Sequence, residues 1–465
     1  MTRTVERPLP FIVPEYCKGC GRCIGSCNKD CLSPGTEINP LTGLVPVVLD
    51  LTACNGCGLC IDACPEPYGL RPHGDEPLFQ PVDPALLFGP RPYGTPEPVP
   101  VPDRTLPLPA REPLVVKGTY AAAVGALLAG CRHVFGYPIT PSTEGAELMA
   151  KVLPELDGVF VQAVSEVATV NMMYGAGGAG KRCMTFTSSP GFSLMLEGIS
   201  YMIGAEVPGV FVDVMRGGPG LGNIAPEQAD LKLACRGLGH GNTHAVVLAP
   251  ATPQEMLDFT ALAFDIAFKY RNPVVILGDG YLGQMTGRVR LPDHMVVPGL
   301  PEWAVSGDRS HRGNLICSID LSEAGLEQHN RHLNEKYEQM AAEEQRAELY
   351  RCEDAEVVVV ACNTPSQLAM GAIGELRAKG VKAGLFRPQT IWPFPIDHLA
   401  PLLERVPHLV VVEASPGQLE DELRLALSHA ELPTPPMSHV RRMGGILPSQ
   451  AEITAHVLAL EEVER

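Results

Sequence analysis

Two cysteine runs near the N-terminus share one spacing and contain eight of the chain's 15 cysteines. They read Cys17-x2-Cys20-x2-Cys23-x3-Cys27 and Cys54-x2-Cys57-x2-Cys60-x3-Cys64, and Pro65 follows the second run at once. Zinc sites take four ligands, usually as two separated pairs, and a disulfide framework is disfavoured because the sequence before the runs shows no secretory signal. The spacing therefore predicts iron–sulfur clusters, with zinc as the main alternative.

The order of the cysteines also predicts how two clusters share them. In bacterial two-cluster ferredoxins, the fourth cysteine of each run binds the cluster of the other run. The expected ligands are Cys17, Cys20, Cys23 and Cys64 for cluster I, and Cys54, Cys57, Cys60 and Cys27 for cluster II. Cys27 is followed by Asn28 rather than proline, and Cys31 lies four residues on. The spacing favours Cys27 as the ligand, with Cys31 as the alternative.

Composition describes a large acidic protein around these runs. A chain of 465 residues has room for about three domains, and 45% hydrophobic residues allow a sizeable core. The formal net charge of −17 disfavours nucleic acid as a partner. No stretch approaches the roughly 20 apolar residues of a membrane span, and the first residues lack the apolar core of a signal peptide. We therefore expect a cytoplasmic protein that binds neither nucleic acid nor membrane.

Periodicity and proline content divide the chain into five segments. In order, we expect these segments at residues 1–75, 76–114, 115–290, 291–349 and 350–465. The first is a small α+β domain that contains the cysteine runs, and the second is a proline-rich linker that should run extended and pack through the apolar residues 86–88. The third and fifth alternate short β-rich runs with helices, which indicates an α/β fold with a doubly wound parallel sheet. The fourth connects them and includes a charged, solvated helix.

Two glycine motifs match known binding patterns but fail on their context. The run GAGGAG at residues 175–180 satisfies a dinucleotide fingerprint, yet a helix precedes it and a strand follows it. Phosphate binding at a helix N-terminus requires the reverse order, so a helix C-cap is the better interpretation. The sequence Gly278-Asp279-Gly280 could begin the metal–diphosphate motif of thiamine enzymes, but no asparagine follows at the interval that this motif needs. We interpret it as a turn after a strand.

Specific motifs from Val116 onward connect the chain to a known family. They occur in family order as Gly136-Tyr-Pro-Ile-Thr-Pro-Ser-Thr143, Glu166 before VATVNMMYGAGGAG, SSPGFSLMLEGISYMIGAEVP, MRGGPGLGNIAPEQAD, NPVVILGDGYLGQM, FRPQTIWPFP and RMGGILPSQ. By these motifs the chain resembles the α subunit of the 2-oxoacid:ferredoxin oxidoreductases, closest to the branched-chain (2-oxoisovalerate) type. The cysteine runs resemble the small ferredoxin subunit that many of these enzymes carry separately. We therefore interpret the chain as a fusion of the two.

The resemblance implies a fold and a catalytic carboxylate. It implies that residues 115–290 form the pyrimidine-binding domain of a thiamine diphosphate enzyme, and residues 350–465 its transketolase C-terminal-like domain. Glu166 matches the family residue that hydrogen-bonds the aminopyrimidine ring, an interaction on which activation of the thiazolium carbon depends. The alternative for Glu166 is a helix-start glutamate that the helix macrodipole favours.

The same resemblance assigns roles to the loop around Thr140 and to Arg216. Tyr137, Pro138 and Ile139 are implied to border the cofactor. Thr140 can donate a hydrogen bond at a strand end, and Arg216 can pair with a substrate carboxylate in a bidentate manner. The alternatives are a threonine that stabilises a turn and a surface arginine.

The implied reaction is the coenzyme A-dependent oxidative decarboxylation of a 2-oxoacid to acyl-CoA and carbon dioxide. Electrons would pass singly through two [4Fe–4S] clusters to ferredoxin or a similar acceptor. The implied cofactor is thiamine diphosphate with Mg²⁺, shared with a partner, and coenzyme A is the co-substrate. Because this chain lacks the metal–diphosphate motif, a β subunit should bind the diphosphate, and a γ subunit is also expected.

Two alternatives stay open at this point. The α/β part could be a scaffold in an electron-transfer complex, in which case no carboxylate would be needed at position 166. The enzyme class could also stand with a different substrate, namely 2-oxoglutarate, pyruvate or an aryl glyoxylate. No basic pocket for a second carboxylate stands out in the sequence, which disfavours 2-oxoglutarate as the substrate.

Overall fold

The computed structural model describes residues 9–39, 42–66, 68–74, 98–308 and 310–464, with side chains up to residue 460. The chain divides into two compact units, Met1–Thr95 and Pro96–Arg465. Residues 76–97 of the expected proline-rich linker, including the apolar residues 86–88, lie outside the described residues. Each unit is therefore considered by itself.

The first unit repeats one local structure around each cysteine run. Its strands are β1 (Pro10–Ile12), β2 (Leu32–Pro34), β3 (Val47–Leu49) and β4 (Leu70–Pro72), and its helices are α1 (Arg22–Ser26) and α2 (Leu59–Asp62). Strand β1 pairs with β4 and β2 pairs with β3, both antiparallel. A 3-10 turn precedes each run and a short helix carries the third cysteine of each run. This is the small α+β domain that the sequence predicted.

The second unit contains two mainly parallel sheets. The larger sheet consists of β7 (His133–Gly136), β8 (Val159–Gln162), β9 (Cys183–Thr187), β10 (Gly209–Met215), β11 (Val246–Leu248), β12 (Pro273–Asp279) and β18 (Thr390–Trp392). The smaller sheet consists of β15 (Ala347–Tyr350), β16 (Val357–Val360), β17 (Ala383–Pro388), β19 (His408–Glu413) and β20 (Met437–Arg441). Two antiparallel pairs join β5 (Arg104–Pro107) to β14 (His294–Val297), and β6 (Leu114–Lys117) to β13 (Thr286–Val289).

Helices alternate with these strands as the sequence predicted. They are α3 (Gly118–Leu128), α4 (Thr143–Val152), α5 (Glu166–Gly178), α6 (Ser189–Gly204), α7 (Leu231–Arg236), α8 (Pro253–Tyr270), α9 (Gly280–Gln284), α10 (Glu323–Glu343), α11 (Asn363–Ala378), α12 (Ile396–Leu403), α13 (Gln418–His429) and α14 (Gln450–Glu464). Local chemistry sets their ends. Thr252, for example, accepts a hydrogen bond from Glu255 N at the start of α8, and Pro253 occupies its first position.

The larger sheet has the strand order β18–β11–β12–β10–β9–β7–β8, and all of its described pairs are parallel except β18 with β11. The chain turns from β7 to the outer strand β8, and then returns past β7 to β9. The winding direction therefore reverses between β7 and β9. In doubly wound sheets, ligands bind at the carboxyl ends of the strands beside such a reversal.

Burial explains why these segments form parallel strands. Every residue of β10 and β12 is buried, as expected for a sheet that helices cover on both faces. Their sequences are almost continuously apolar, and the exceptions are Asp213 in β10 and Asp279 at the end of β12. These two carboxyl groups must be satisfied inside the protein, because water does not reach them.

The smaller sheet contributes to the larger one. Strand β18 follows β17 of the smaller sheet, yet it pairs with β11 at the edge of the larger sheet. The predicted boundaries at residues 290 and 350 stay predictions. The helix expected in the connecting segment is α10, which is mostly exposed and buries only Leu333, Lys336, Tyr337 and Met340.

The GAGGAG run at residues 175–180 forms the end of a helix, as the order of its flanking elements predicted. Helix α5 ends at Gly178, and Gly180 has a left-handed φ of 73° just before β9. This is a helix C-cap and not a phosphate-binding loop. Among the residues that the structure describes, no helix has both the length and the apolar character needed to cross a bilayer.

Candidate active site and iron–sulfur ligands

The first four predicted cluster ligands line one small cavity of the N-terminal unit. The cysteines that line it are Cys17, Cys20, Cys23 and Cys64. The first three come from one run and the fourth from the other. The fold thus brings together the set that the ferredoxin spacing predicted for cluster I.

A second cavity contains the other predicted set and one additional cysteine. The cysteines that line it are Cys27, Cys31, Cys54, Cys57 and Cys60. The local turns are equivalent in the two runs. Gly21 and Gly58 both have left-handed φ values, 74° and 81°, which glycine adopts without strain, and each precedes the helix that carries the third cysteine.

Hydrogen bonds distinguish Cys27 from Cys31. The Sγ atom of Cys27 accepts a hydrogen bond from the backbone N–H of Cys31 at 3.3 Å, as expected for a thiolate ligand. The Cys31 thiol lies within 3.5 Å of the Lys29 carbonyl oxygen, to which it donates. Cys31 is thus placed as a buried thiol beside the ligand set. The ligand roles themselves stay predictions.

The cysteines stand in an arrangement suited to a cluster. Within the described residues, no group of three His, Cys, Asp or Glu side chains is arranged to hold a single metal ion. A [4Fe–4S] cluster binds each thiolate through a different iron, so its four ligands surround a cavity and do not converge on one point. The two cysteine-lined cavities have this form.

The predicted active-site residues of the second unit lie at the carboxyl ends of its parallel strands. Tyr137 follows β7, Glu166 follows β8, Ser188 follows β9 and Arg216 follows β10. Because the carboxyl ends of parallel strands meet at one edge of the sheet, these side chains gather beside the reversal between β7 and β9. The fold therefore brings Glu166, Arg216 and the Thr140 loop to a single edge.

Glu166 is placed at the start of α5 and left without a partner. Ser165 caps the helix by accepting a hydrogen bond from Ala168 N at 3.3 Å, so Glu166 is not needed for that purpose. The Glu166 side chain is 5% exposed. A Cβ added to Gly191 on α6 would lie 2.5 Å from the Oε1 atom of Glu166. Within the described residues the structure records no hydrogen bond or ion pair to the Glu166 carboxylate, which leaves it available to a ligand.

The loop after β7 is the most exposed part of this edge. Tyr137, Pro138 and Thr140 are exposed, and Ile139 is half-buried. The peptide bond between Thr140 and Pro141 is cis. The Thr140 carbonyl oxygen accepts a hydrogen bond from Arg216 Nη1 at 2.8 Å, so the two residues predicted to bind substrate are in direct contact.

Arg216 is a buried cation and not the surface arginine of the alternative interpretation. It is 8% exposed. Its guanidinium donates to the carbonyl oxygens of Thr140 and of Leu221, the latter at 3.3 Å, while its Nε has no partner within the described residues. No ion pair to Arg216 is recorded there either. A planar cation that forms no ion pair suits a carboxylate ligand.

A buried acid pair supports the loop that begins at Arg216. Asp230 accepts a short hydrogen bond from the Ser189 hydroxyl, whose oxygen in turn accepts one from Arg216 N at 3.1 Å. Burial raises the pKa of Asp230 to about 6. Burial and then the charge of Asp230 raise the pKa of Asp213 well above its ordinary value.

The pair must share a proton. No N–H or O–H group of the described residues donates to either oxygen of Asp213, so its carboxyl is satisfied only as an acid that donates to Asp230. Sequence reasoning missed this pair. The signal that could have found it is a single aspartate in the otherwise apolar strand GVFVDVM.

Asp279 has a structural role, as the sequence indicated. It is fully buried, and burial raises the pKa of its carboxyl. Its carboxylate accepts hydrogen bonds from Tyr281 N and Leu282 N at 3.0 Å, from Thr364 N at 2.9 Å and from the Thr364 hydroxyl at 2.8 Å. These four donors use the carboxylate fully. The turn after β12 therefore has no free carboxylate for a metal–diphosphate group.

Two of the family-like motifs meet beside Arg216. The Glu227 carboxylate accepts hydrogen bonds from Gly218 N at 3.2 Å and from Gly444 N at 3.0 Å. Asn223 Nδ2 donates to the Gly444 carbonyl oxygen at 3.0 Å. The loop that begins at Arg216 is thus fixed to the RMGGILPSQ segment, more than 200 residues further along the chain.

Comparison with known families matches nearly the whole of the second unit. Residues 124–353 match the thiamine diphosphate-binding domain of the pyruvate flavodoxin/ferredoxin oxidoreductases, and residues 355–453 match core domain II of pyruvate:ferredoxin oxidoreductase. Residues 14–30 and 47–66 each match a 4Fe–4S binding domain. The chain thus combines 4Fe–4S domains with a thiamine diphosphate-binding domain, and the α/β fold class that the resemblance implied is confirmed.

Comparison with curated relatives also identifies the family. The ketoisovalerate oxidoreductase subunit VorB of Methanothermobacter marburgensis is 47% identical over 335 residues, which are 72% of this chain and 94% of that protein. The 2-oxoglutarate synthase subunit KorA of Methanocaldococcus jannaschii is 34% identical, over 74% of this chain and 98% of that protein. The chain belongs to the α-type subunits of the 2-oxoacid:ferredoxin oxidoreductases.

A solved structure shares this fold. It is the 2-oxoglutarate:ferredoxin oxidoreductase from Magnetococcus marinus with 2-oxoglutarate, coenzyme A and succinyl-CoA bound, with a TM-score of 0.67 and 27% identity. The match covers 75% of this chain, and the chain spans 65% of the length of that solved chain. The resemblance inferred from the sequence motifs is confirmed, and this protein is an oxidoreductase subunit. Its relatives differ in their substrate.

Proposed function

We propose that this chain is the catalytic α subunit of a coenzyme A-dependent oxidoreductase for branched-chain 2-oxoacids, with Glu166 as the carboxylate that activates thiamine diphosphate. The observation that carries the proposal is the state of Glu166. The residue is almost buried at the strand edge where α/β folds bind ligands, yet its carboxylate has no recorded partner among the described residues. A scaffold would not need a carboxylate there.

The residues present fit one side of the cofactor. When bound, thiamine diphosphate supplies the carbon nucleophile that decarboxylation of a 2-oxoacid requires. Glu166 would hold a proton at the aminopyrimidine ring, and Tyr137, Pro138 and Ile139 would border that ring. Asp279 is already saturated by four donors, so we infer that the diphosphate and Mg²⁺ belong to a partner β subunit.

Arg216 and Thr140 would bind the substrate. The Arg216 guanidinium, which forms no ion pair among the described residues, would pair with the carboxylate that every 2-oxoacid carries, and the Thr140 hydroxyl would donate to its ketone. The guanidinium is held by the carbonyl oxygens of Thr140 and Leu221, so little side-chain entropy remains to be lost on binding.

The charged side chains near the Arg216 loop favour a branched apolar substrate over 2-oxoglutarate. A second carboxylate would need a second free cation. Lys232 and Arg236, which line the cleft next to the Arg216 loop, are already paired with Asp421 at 2.7 Å and Glu422 at 2.9 Å. The higher identity to the ketoisovalerate relative, 47% against 34% for the 2-oxoglutarate relative, points the same way.

We infer that the two clusters accept the electrons and pass them to a ferredoxin. Cys17, Cys20, Cys23 and Cys64 would bind one [4Fe–4S] cluster, and Cys54, Cys57, Cys60 and Cys27 the other. The two cavities that contain these sets support the assignment. Coenzyme A would take the acyl group as co-substrate.

The β subunit would cover the edge that contains Glu166. Large apolar side chains are exposed along the loops and helix starts that form this edge, namely Tyr137, Val164, Val167, Leu194, Leu221 and Ile224. Such a concentration of exposed apolar side chains marks an interaction surface. Its continuity with Glu166 favours the subunit that shares the cofactor. A γ subunit stays an expectation from the family.

The proposal is tested by Glu166→Gln in the complex assembled with its partner subunits. We expect a loss of turnover of about 10²- to 10⁴-fold, with iron content and subunit assembly unchanged, because the variant removes one proton-transfer group and no volume. The exposed Glu155→Gln in the turn after α4 is the matched control. Turnover that survives Glu166→Gln would leave only the scaffold interpretation.

A further inference from the structure

Helices α5 and α6 approach each other through two glycines. Gly191 and Gly198 lie seven residues apart on α6, hence on one face, and they contact Glu166 and Val170, which lie four residues apart on α5. A Cβ added to Gly198 would lie 2.4 Å from Val170 Cγ1, and one added to Gly191 would lie 2.5 Å from Glu166 Oε1. Each is closer than real Cβ contacts, so a larger residue would displace its neighbour.

At Gly191 the missing side chain borders a second oxygen. The same added Cβ would lie 2.5 Å from Thr187 Oγ1. The Thr187 hydroxyl and the Glu166 carboxylate therefore face the same small volume. Thr187 is fully buried, and its hydroxyl has no hydrogen-bond partner within the described part of the chain.

A buried hydroxyl without a hydrogen-bond partner costs free energy, and two possible acceptors lie near Thr187. Leaving such a group unsatisfied is costly, so a rotation that completes a hydrogen bond is favoured. One acceptor is Glu166. The other is Asp213, its register partner on the neighbouring strand β10, which is already paired with Asp230. Glu166 has no competing donor, which makes it the better acceptor.

We propose that Gly191 and Thr187 are positioning residues for Glu166. Gly191 leaves the space in which the carboxylate lies, and the Thr187 hydroxyl donates a hydrogen bond to Oε1, so that the other oxygen is free for the cofactor ring. This inference rests on the proposed role of Glu166. It adds two residues whose function no sequence motif assigned.

The first test is Gly191→Ala in the assembled complex, with Gly198→Ala as the matched control. Both variants insert one methyl group into the same helix seam, and alanine is a good helix residue at each position. We expect Gly191→Ala to lower kcat by about 100-fold, because misplacement of a catalytic group by about 1 Å has that effect. The same variant should bind thiamine diphosphate more weakly. Gly198→Ala should lower the thermal midpoint yet keep cofactor affinity and kcat near the wild-type values. Equal cofactor affinity and kcat in the two variants would overturn the proposal.

The second test compares Thr187→Val with Thr187→Ser. Valine keeps the shape and removes the donor, whereas serine keeps the donor. We expect Thr187→Val to lower kcat about tenfold with little change in the KM for the 2-oxoacid, and Thr187→Ser to restore it. If valine alters only the pH dependence of unfolding, the hydroxyl serves Asp213 and not Glu166. If serine and valine are equally impaired, shape and not the hydroxyl matters, and the proposal fails.

Glu166→Gln in the same assays separates this inference from the proposed function. If Glu166→Gln keeps both turnover and cofactor affinity, the proposed function fails and the inference fails with it. If Glu166→Gln abolishes turnover while Gly191→Ala and Thr187→Val match the wild type, only the positioning role is wrong.

Discussion

Arg216 is buried and forms no ion pair among the described residues, an unusual state for a guanidinium in a protein interior. Glu166 is 5% exposed as a residue, and its carboxylate has no recorded partner there. Folding alone does not reward either arrangement, because an unpaired buried charge is costly. This is why we propose Glu166 and Arg216 as the residues that meet a ligand.

Arg216→Lys should separate binding from chemistry. Lysine keeps the charge but loses the planar set of donors, so we expect the KM for the 2-oxoacid to rise by about 10- to 100-fold. Cofactor affinity and iron content should not change. Steady-state kinetics of the assembled complex measure this effect.

The control for Arg216→Lys is Lys232→Ala. Lys232 lines the neighbouring cleft but is 59% exposed and forms only a surface ion pair with Asp421, so its removal should leave the KM within about twofold of wild type. A normal KM in Arg216→Lys would remove Arg216 from the substrate site.

Cys27 and Cys31 can be separated by iron content. We expect Cys27→Ser to lose one cluster, so that the chain falls from about eight irons to about four, because one of the four ligands is gone. Cys31→Ser should keep about eight, because Cys31 donates its thiol hydrogen to the Lys29 carbonyl and is not needed as a ligand. Anaerobic iron and sulfide analysis measures both. Loss of iron in Cys31→Ser with retention in Cys27→Ser would reverse the assignment.

At the scale of elements, buried polar groups fix the ends of strands and helices around the site. The Asp213–Asp230–Ser189 chain connects β10 with the starts of α6 and α7. Gln228 connects the two sheets, since its Oε1 accepts from Ala414 N at 2.7 Å and its Nε2 donates to Asn363 Oδ1 at 3.1 Å. These contacts hold the Arg216 loop from both sides.

The acid pair should give the stability of the chain a characteristic pH dependence. Burial raises the pKa of Asp230 to about 6 and that of Asp213 well above its ordinary value, so the folded chain keeps a proton that the unfolded chain releases. The free energy of unfolding therefore falls as the pH rises from about 4 through about 6, by about 1.4 kcal/mol per pH unit for each retained proton. Glu227 and Arg216 are the other charges that act on the pair.

Asp213→Asn should flatten this dependence. Asparagine resembles the protonated acid but releases no proton. We therefore expect the thermal midpoint of Asp213→Asn, relative to that of the wild type, to rise as the pH increases from about 5 to about 8. The exposed Asp157→Asn is the matched control and should show no such gain. A constant difference between Asp213→Asn and wild type across this range would contradict the shared proton.

At the scale of the whole molecule, local patterns predicted the fold well. The apolar strands β10 and β12 and the glycine-terminated α5 follow from burial and from helix-capping chemistry, and the structure confirms them. The cysteine spacing predicted which residues gather, because short turns leave little freedom to the thiolates. The domain boundaries and the ligand roles stay predictions.

What sequence reasoning missed depends on contacts between distant segments. Asp213 and Asp230 are 17 residues apart, and Gly191 is 25 residues from Glu166, so no local pattern reveals that they meet. Likewise, β18 belongs by sequence to the smaller sheet and by pairing to the larger one. Such contacts arise only when the whole unit is assembled.

The central claim is that one chain contains both the catalytic carboxylate and the clusters that receive the electrons. The direct measurement is anaerobic electron paramagnetic resonance of the assembled complex after addition of coenzyme A and a 2-oxoacid. We predict that 2-oxoisovalerate reduces the clusters in the wild type more efficiently than 2-oxoglutarate does. In Glu166→Gln, dithionite but not the 2-oxoacid should reduce them. Clusters that no 2-oxoacid reduces in a complete wild-type complex, or that it reduces equally well in Glu166→Gln, would contradict the account.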